Sequence, residues 1–155
     1  MMTGLSLANA KVVVELGPGT GVFTEELLNL IGPKTQLLII EINTRFYTDL
    51  KEKISDPRVT LINGSASDIE IYLKKMNTIE VDFIISSIPL AVLPSRLRNR
   101  VILSARQALR KKGTFIQFQY SLQSQKLLEK VFSSVRIKHC LLNIPPAFIY
   151  TCTKE

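Results

Sequence analysis

The stretch Val12-Val13-Val14-Glu15-Leu16-Gly17-Pro18-Gly19-Thr20-Gly21 decides how the rest of the chain is read. Three β-branched residues and a leucine around one glutamate read as a buried strand, and the alternate glycines that follow read as a tight turn. Phe23, Leu27, Leu28 and Ile31 then recur at helical spacing, so the turn opens a helix. Glycines here let the backbone bend sharply and approach a ligand where a Cβ would collide, and the helix start offers unpaired N–H groups. Glycine turns also serve plain strand–helix packing. Glu15, two residues ahead of the first glycine, together with the flanking elements, points instead to a nucleoside-cofactor site.

Outward from that stretch, strand and helix patterns alternate. Gln36–Ile40 is a continuous apolar run, expected as a central parallel strand ending at Glu41-Ile42-Asn43. Asn43 is placed to cap a helix carrying Phe46, Leu50 and Ile54, which Pro57 closes. Val59–Ile62 is a third strand, followed by the turn Asn63–Ala66; Ser67 and Glu70 have capping-box spacing before Ile69, Leu73 and Met76. Val81–Ile85 is a fourth strand ending at Ser86-Ser87-Ile88-Pro89. A helix after Pro94 turns Leu97, Val101, Ala105 and Ala108 inward and arginines outward, and stops at Lys111-Lys112-Gly113. Thr114–Tyr120 is a fifth strand, and Leu127, Leu128, Val131 and Phe132 mark one more helix. Val135–Leu142, the turn Asn143-Ile144-Pro145-Pro146 and Ala147–Thr153 read as an antiparallel hairpin.

With 155 residues, one α/β domain over 1–155 is expected, with helices on both faces of a full sheet. No apolar run reaches the roughly 20 residues that span a bilayer, and the start Met1–Leu7 lacks a basic leader. Two cysteines make no disulfide framework, and Cys140 and Cys152 fall out of register for a bridge. A cytoplasmic protein is therefore expected. The net charge of +7 points to an anionic partner, nucleic acid or acidic lipid, against the plain alternative of a solvated basic face. Arg96, Arg98, Arg100, Arg106, Arg110, Lys111 and Lys112 concentrate that charge. His139, the only histidine, has no cysteine or carboxylate cluster at ligand spacing, so no metal site is expected.

Five alternating strands closed by a hairpin resemble the class I S-adenosylmethionine-dependent methyltransferases. That resemblance implies a Rossmann-like, seven-stranded, mostly parallel sheet in the order 3-2-1-4-5-7-6. It also implies that Glu15, Gly17, Pro18, Gly19 and Gly21 lie against the methionine part of S-adenosyl-L-methionine. Glu41, with Ile42 beside it, stands 20 residues after Gly21, and a carboxylate there suits the two hydroxyls of a ribose. The competing readings are a solvated glutamate or a partner for Arg45. Ser65, Ala66 and Asp68 fall where relatives contact adenine. Ser65 stands where many relatives carry an acid, which leaves Ser65 and Asp68 as alternatives for the exocyclic amine.

The wider resemblance is to bacterial phospholipid N-methyltransferases of the PmtA type, related to the ribosomal RNA adenine dimethylases. It rests on Val13–Thr24, Asn63–Asp68, Ser86–Leu90 and Asn143–Cys152, and runs from Lys11 onward. It implies methylation of the amine of phosphatidylethanolamine or its partly methylated derivatives at an anionic membrane surface, and a peripheral position at the inner membrane. Ser86, Ser87 and Pro89 would then meet the acceptor, with Tyr120 as a pocket residue against its alternative as a rim tyrosine. An rRNA adenine N6-methyltransferase is the rival, and a cofactor-binding module without a complete active site is the third reading. Adenine-N6 enzymes carry Asn- or Asp-Pro-Pro-aromatic near this point; Ser86-Ser87-Ile88-Pro89 has neither the amide nor the aromatic ring. Family members also usually carry a longer N-terminal segment with an amphipathic helix, whereas here the first strand begins by about Lys11.

Overall fold

The computed structural model describes residues 6–142 and 145–155. Its elements are β1 (Val12–Leu16), α1 (Val22–Leu30), β2 (Gln36–Glu41), α2 (Thr44–Lys53), β3 (Val59–Asn63), α3 (Ile69–Lys75), β4 (Val81–Ser86), α4 (Ser95–Ala108), β5 (Leu109–Gln119), α5 (Gln125–Val131), β6 (Ser134–Cys140) and β7 (Ala147–Thr153). One seven-stranded sheet runs β3-β2-β1-β4-β5-β7-β6, the order expected. The first five strands are mutually parallel, and β7 is antiparallel to both β5 and β6. The expected hairpin is therefore present, although Asn143 and Ile144 of its turn lie outside the described residues.

Burial explains the strand sequences. All five residues of β1 are buried, because helices cover both faces there, so the strand reads as continuous rather than alternating. Val12, Val14 and Leu16 face one core with α3, α4 and α5. Val13 faces the other, with Leu27 and Ile31. At the edge, β6 exposes Arg136, Lys138 and His139, charge that discourages pairing with another chain.

Polar clamps fix the element ends. Asn43 Oδ1 accepts from the N–H groups of Arg45 and Phe46, the expected cap of α2. Arg58 donates to the carbonyls of Leu28, Ile31 and Gly32 while paired to Asp56, and so closes α1. Asp82 accepts from Lys11 N at 2.8 Å, Val12 N at 3.0 Å and Arg110 Nε at 2.5 Å, tying the starts of β1, β4 and β5 together.

Three local expectations are corrected. Ser67 does not cap α3: a 3-10 turn over Ala66–Asp68 precedes the helix, and Ser65 caps that turn by accepting from Ser67 N. The Ser67 hydroxyl is engaged with Ser65 Oγ at 2.8 Å instead. Next, α4 ends at Ala108 and β5 begins at Leu109, so Arg110, Lys111 and Lys112 belong to a strand, not to the helix end. Leu109 is drawn into the sheet opposite Val81, with an irregularity in the ladder before Phe83. The basic cluster is thereby split between α4 and the N-terminal start of β5. Finally, Arg98 and Arg106 are half-buried rather than turned fully outward.

Cys140 stands opposite Ala147, and Cys152 opposite Val135, so the two thiols are unpaired and far out of register. Burial pushes the Cys152 thiol up to about 12, which leaves it an inert core group.

Candidate active site

At the C-terminal ends of β1, β2, β3 and β4 lies a cavity of about 420 Å³, within the usual range for small-molecule sites. The glycine turn forms one wall. Gly17 has φ +65° and Gly19 has φ +59°, conformations open to glycine at little cost. A Cβ on Gly17 would sit 2.7 Å from Ile88 Cγ1, whereas one on Gly19 would meet nothing within 4 Å. Gly17 is thus required by the protein's own packing, while Gly19 leaves open space over the cavity. Gly21 is a different case: it lies outside the cavity lining, and a Cβ there would strike Leu50 Cδ2 of α2 at 2.7 Å. Pro18 is buried behind the turn, which its carbonyl closes by accepting from Gly21 N at 3.0 Å.

Glu41 holds this wall in place. Its Oε2 accepts from Gly19 N at 3.0 Å and its Oε1 from Asn43 N at 2.8 Å, and the residue is only 4% exposed. It is therefore neither a solvated glutamate nor a surface partner for Arg45. Each carboxylate oxygen keeps a further lone pair for a ligand hydroxyl. Ile42, Asn43, Phe46, Gly64, Ser65 and Ala66 continue the lining, and Leu93, Leu97 and Val101 supply an apolar wall from the α4 side. Among the described residues, Glu41 is the one on the lining with a formal charge.

Glu15 lies under the turn, outside the lining, fully buried on the α1 face. Its Oε2 accepts from Thr24 Oγ1 at 2.6 Å, and its Oε1 has no partner. Burial pushes its carboxyl up to about 7; Thr24 opposes the rise and the nearby Glu41 adds to it.

Beyond the end of β4, Ser87 and Pro89 line the cavity. Ser87 N continues the ladder to Leu16 O at 3.0 Å, and Ser87 Oγ is buried without a partner. Ser86 sits one layer below, where its hydroxyl accepts from Ile88 N at 3.3 Å. Leu90, fully buried, packs into the core.

Besides Glu15, Pro18, Gly21 and Ser86, which lie off the lining as described, Asp68 and Tyr120 are set apart from the cavity. Asp68 lies 3.9 Å from Arg100 of α4, which leaves Ser65 as the one of that pair on the lining. Tyr120 is 59% exposed and meets Phe118 edge-on at 5.2 Å, on the α1 face of the sheet. Residues not foreseen are Gln117 and Gln119, whose side-chain amides both donate to Ile88 O, at 2.8 and 2.9 Å. Their signal was two amides at alternate positions among Phe115, Ile116 and Phe118 in the second half of β5. Among the described residues, no three histidine, cysteine or carboxylate side chains converge as a metal site.

The family profile of ribosomal RNA adenine dimethylase matches residues 2–144. The chain is 28% identical over 146 residues to the ornithine lipid N-methyltransferase of Singulisphaera acidiphila, covering 93% of this chain and 76% of that protein. It is 39% identical over 69 residues to the ribosomal RNA small subunit methyltransferase A of a Sulfurihydrogenibium species, covering 44% of this chain and 26% of that one. In fold it is similar to the N-methyltransferase NodS of Bradyrhizobium japonicum WM9 in complex with S-adenosyl-L-homocysteine, with a TM-score of 0.74 at 13% identity over 96% of this chain and 81% of that one.

The cavity fits S-adenosylmethionine on its own terms. Glu41 offers spare acceptor positions for a ribose diol, Gly19 leaves room where a Cβ would project, and the apolar wall suits a flat base. Taken together, family, fold and cavity make the chain a member of the ribosomal RNA adenine dimethylase family and an S-adenosylmethionine-dependent methyltransferase.

Proposed function

We propose that the acceptor is the amine of a membrane-lipid headgroup, phosphatidylethanolamine or its partly methylated derivatives. The observation that carries this reading is the loop Ser86-Ser87-Ile88-Pro89-Leu90. A flipped adenine is held by hydrogen bonds to its Watson–Crick edge and by stacking against aromatic or apolar side chains, the roles that the Asn- or Asp-Pro-Pro-aromatic motif fills in adenine-N6 enzymes. Here the rim offers a hydroxyl and a proline, and Leu90 is withdrawn into the core. Exposed Ile42, Val92 and Leu122 follow the strand ends on the same side of the sheet, an apolar margin that suits the glycerol and acyl region of a lipid. The lipid substrate named for the Singulisphaera relative supports the same class.

Held by Glu41 and the glycine turn, S-adenosylmethionine would supply an electrophilic methyl group for in-line transfer to the lone pair of the amine. The chain's task is orientation and exclusion of water. Glu41 holds the ribose and, through Gly19, the glycine turn. Ser87 Oγ, buried and unpartnered, accepts an N–H of the amine and aims its lone pair. The acceptor must be the neutral amine, so its proton passes to water or to the lipid's own phosphate. Arg96 and Arg100, exposed near the start of α4, attract the anionic surface at about 1 kcal/mol per charge.

Methylation of an adenine in ribosomal RNA is the second reading, favoured by the family match. Methyl-labelled S-adenosylmethionine offered with vesicles of phosphatidylethanolamine and phosphatidylglycerol, and separately with unmodified ribosomal RNA, decides between them. Label in the lipid fraction is expected; label in RNA alone overturns the lipid reading.

A further inference from the structure

Ile88 stands between the two halves of the site. Its side chain fills the space beside Gly17, while its backbone continues from Ser87 to Pro89 on the acceptor rim. The carbonyl of Ile88 is turned away from the cavity and receives two buried donors, Gln117 Nε2 at 2.8 Å and Gln119 Nε2 at 2.9 Å. Gln117 Nε2 also donates to Phe118 O at 2.9 Å, so both of its protons are used and its orientation is fixed. Its own Oε1 is left buried with no partner. A strand interior gains nothing in packing from two amides, one of them incompletely satisfied, where leucine or methionine would fit.

The register sharpens the point. Leu16, Ser86, Gln117 and Tyr150 lie side by side on four neighbouring strands and share one face. The row is apolar at β1 and polar from β4 to β7. The polar part lies beneath the acceptor loop.

We infer that Gln117 and Gln119 are positioning residues for the methyl acceptor: by holding the Ile88 carbonyl they fix Ser87 and Pro89 relative to the glycine turn. This rests on the proposal that the Ser86–Pro89 loop receives the acceptor amine. Misplacing that loop by about 1 Å is enough to cost on the order of a hundredfold in transfer. The cofactor's own anchors, Glu41 and Gly19, do not touch the glutamines.

Gln119→Met is the first variant, because Gln117 retains both its bonds and the fold survives. Acceptor kcat/KM is expected to fall by about a hundredfold. Affinity for S-adenosylhomocysteine, measured by titration calorimetry, stays within about threefold, since the loop rather than the cofactor wall is loosened. Amide hydrogen exchange at Ser87 and Ile88 accelerates while Ile116 stays protected. Gln119→Glu adds a pH readout. Ionised, it cannot donate and repels the carbonyl; protonated, it donates again, so its activity relative to the unmodified chain recovers as pH falls.

Unchanged exchange at Ser87 and Ile88, a variant-to-parent ratio independent of pH, or cofactor affinity lost in step with transfer would each overturn the inference. The unmodified chain reports separately on the acceptor. If its label enters RNA, the lipid reading fails and the same ratios taken with RNA still decide the role of the glutamines. If neither acceptor is labelled, exchange and cofactor affinity decide it.

Discussion

The two halves of the sheet handle polar groups in opposite ways. Around β1 and β2, a single carboxylate, Glu41, stands at the cavity surface with lone pairs to spare, and the buried residues of the two strands beneath it are apolar except Glu15. Across β4, β5 and β7, the polar side chains of Ser86, Gln117, Gln119 and Tyr150 are buried and, Gln117 Oε1 apart, bond to backbone: Ser86 to Ile88 N, the glutamine amides to Ile88 O, Tyr150 to Ser121 O. The first half presents its chemistry to a ligand. The second uses its chemistry to hold a loop, and leaves the loop to meet the ligand. A common cofactor and a variable acceptor would call for such a division.

Breaking the first half should therefore hurt binding most. Glu41→Ala removes two charge-assisted bonds that shape the turn as well as the proposed ribose contact, and calorimetry should show a loss of about 4 kcal/mol in cofactor affinity. Unchanged affinity would refute the ribose assignment. Gly17→Ala comes next. Its Cβ meets Ile88 at 2.7 Å in a left-handed backbone, and thermal unfolding should register a loss of about 3 kcal/mol. Gly19→Ala has the same backbone strain without the collision, so it should cost about 1 kcal/mol of stability while impairing cofactor binding more than folding.

Glu15 tests the exception within that half. Its carboxyl is raised in the folded chain, so the folded state holds a proton that the unfolded state releases between roughly pH 4.5 and 7. Stability from this group is full below about 4.5 and is lost as pH rises through 7. Glu15→Gln should accordingly stabilise the protein at pH 8 by about 3 kcal/mol and leave it nearly unchanged at pH 4, read from denaturant midpoints at both pH values. An equal effect at the two would remove burial as the cause. In the second half, Tyr150→Phe deletes only the bond to Ser121 O at 3.2 Å; a loss of about 1 kcal/mol with cofactor affinity intact is expected. Weaker cofactor binding in that variant would erase the contrast between the halves.

What could be read from the chain follows the same division. The glycine turn, the buried β1 and Glu41 at the next strand end are encoded by residue type and short spacing, and the strand order followed from the resemblance those motifs supported. The fixing of Ile88 was not legible, because its carbonyl belongs to the backbone and the two amides that find it lie 29 and 31 residues away. Parity along β5 was the missed clue for Tyr120. It follows Gln119 and so shares the face of Phe118, opposite to the face where the glutamines meet the acceptor loop. Ser67 misled for a local reason: its hydroxyl had a nearer partner in Ser65 than the helix start.

The place of β7 also bears on how the chain comes into being. Ala147–Thr153 is bonded on one side to β5 and on the other to β6. During synthesis, residues through Cys140 emerge before the strand that joins β6 to the sheet exists. At ribosomal speeds that interval lasts about a second. Until it ends, β5 offers Thr114–Gln119 as a bare edge, Phe115 and Ile116 included, and β6 has no partner. A nascent chain stalled in that window would present an adhesive strand to its neighbours, which is the point at which holding chaperones would matter most to its yield.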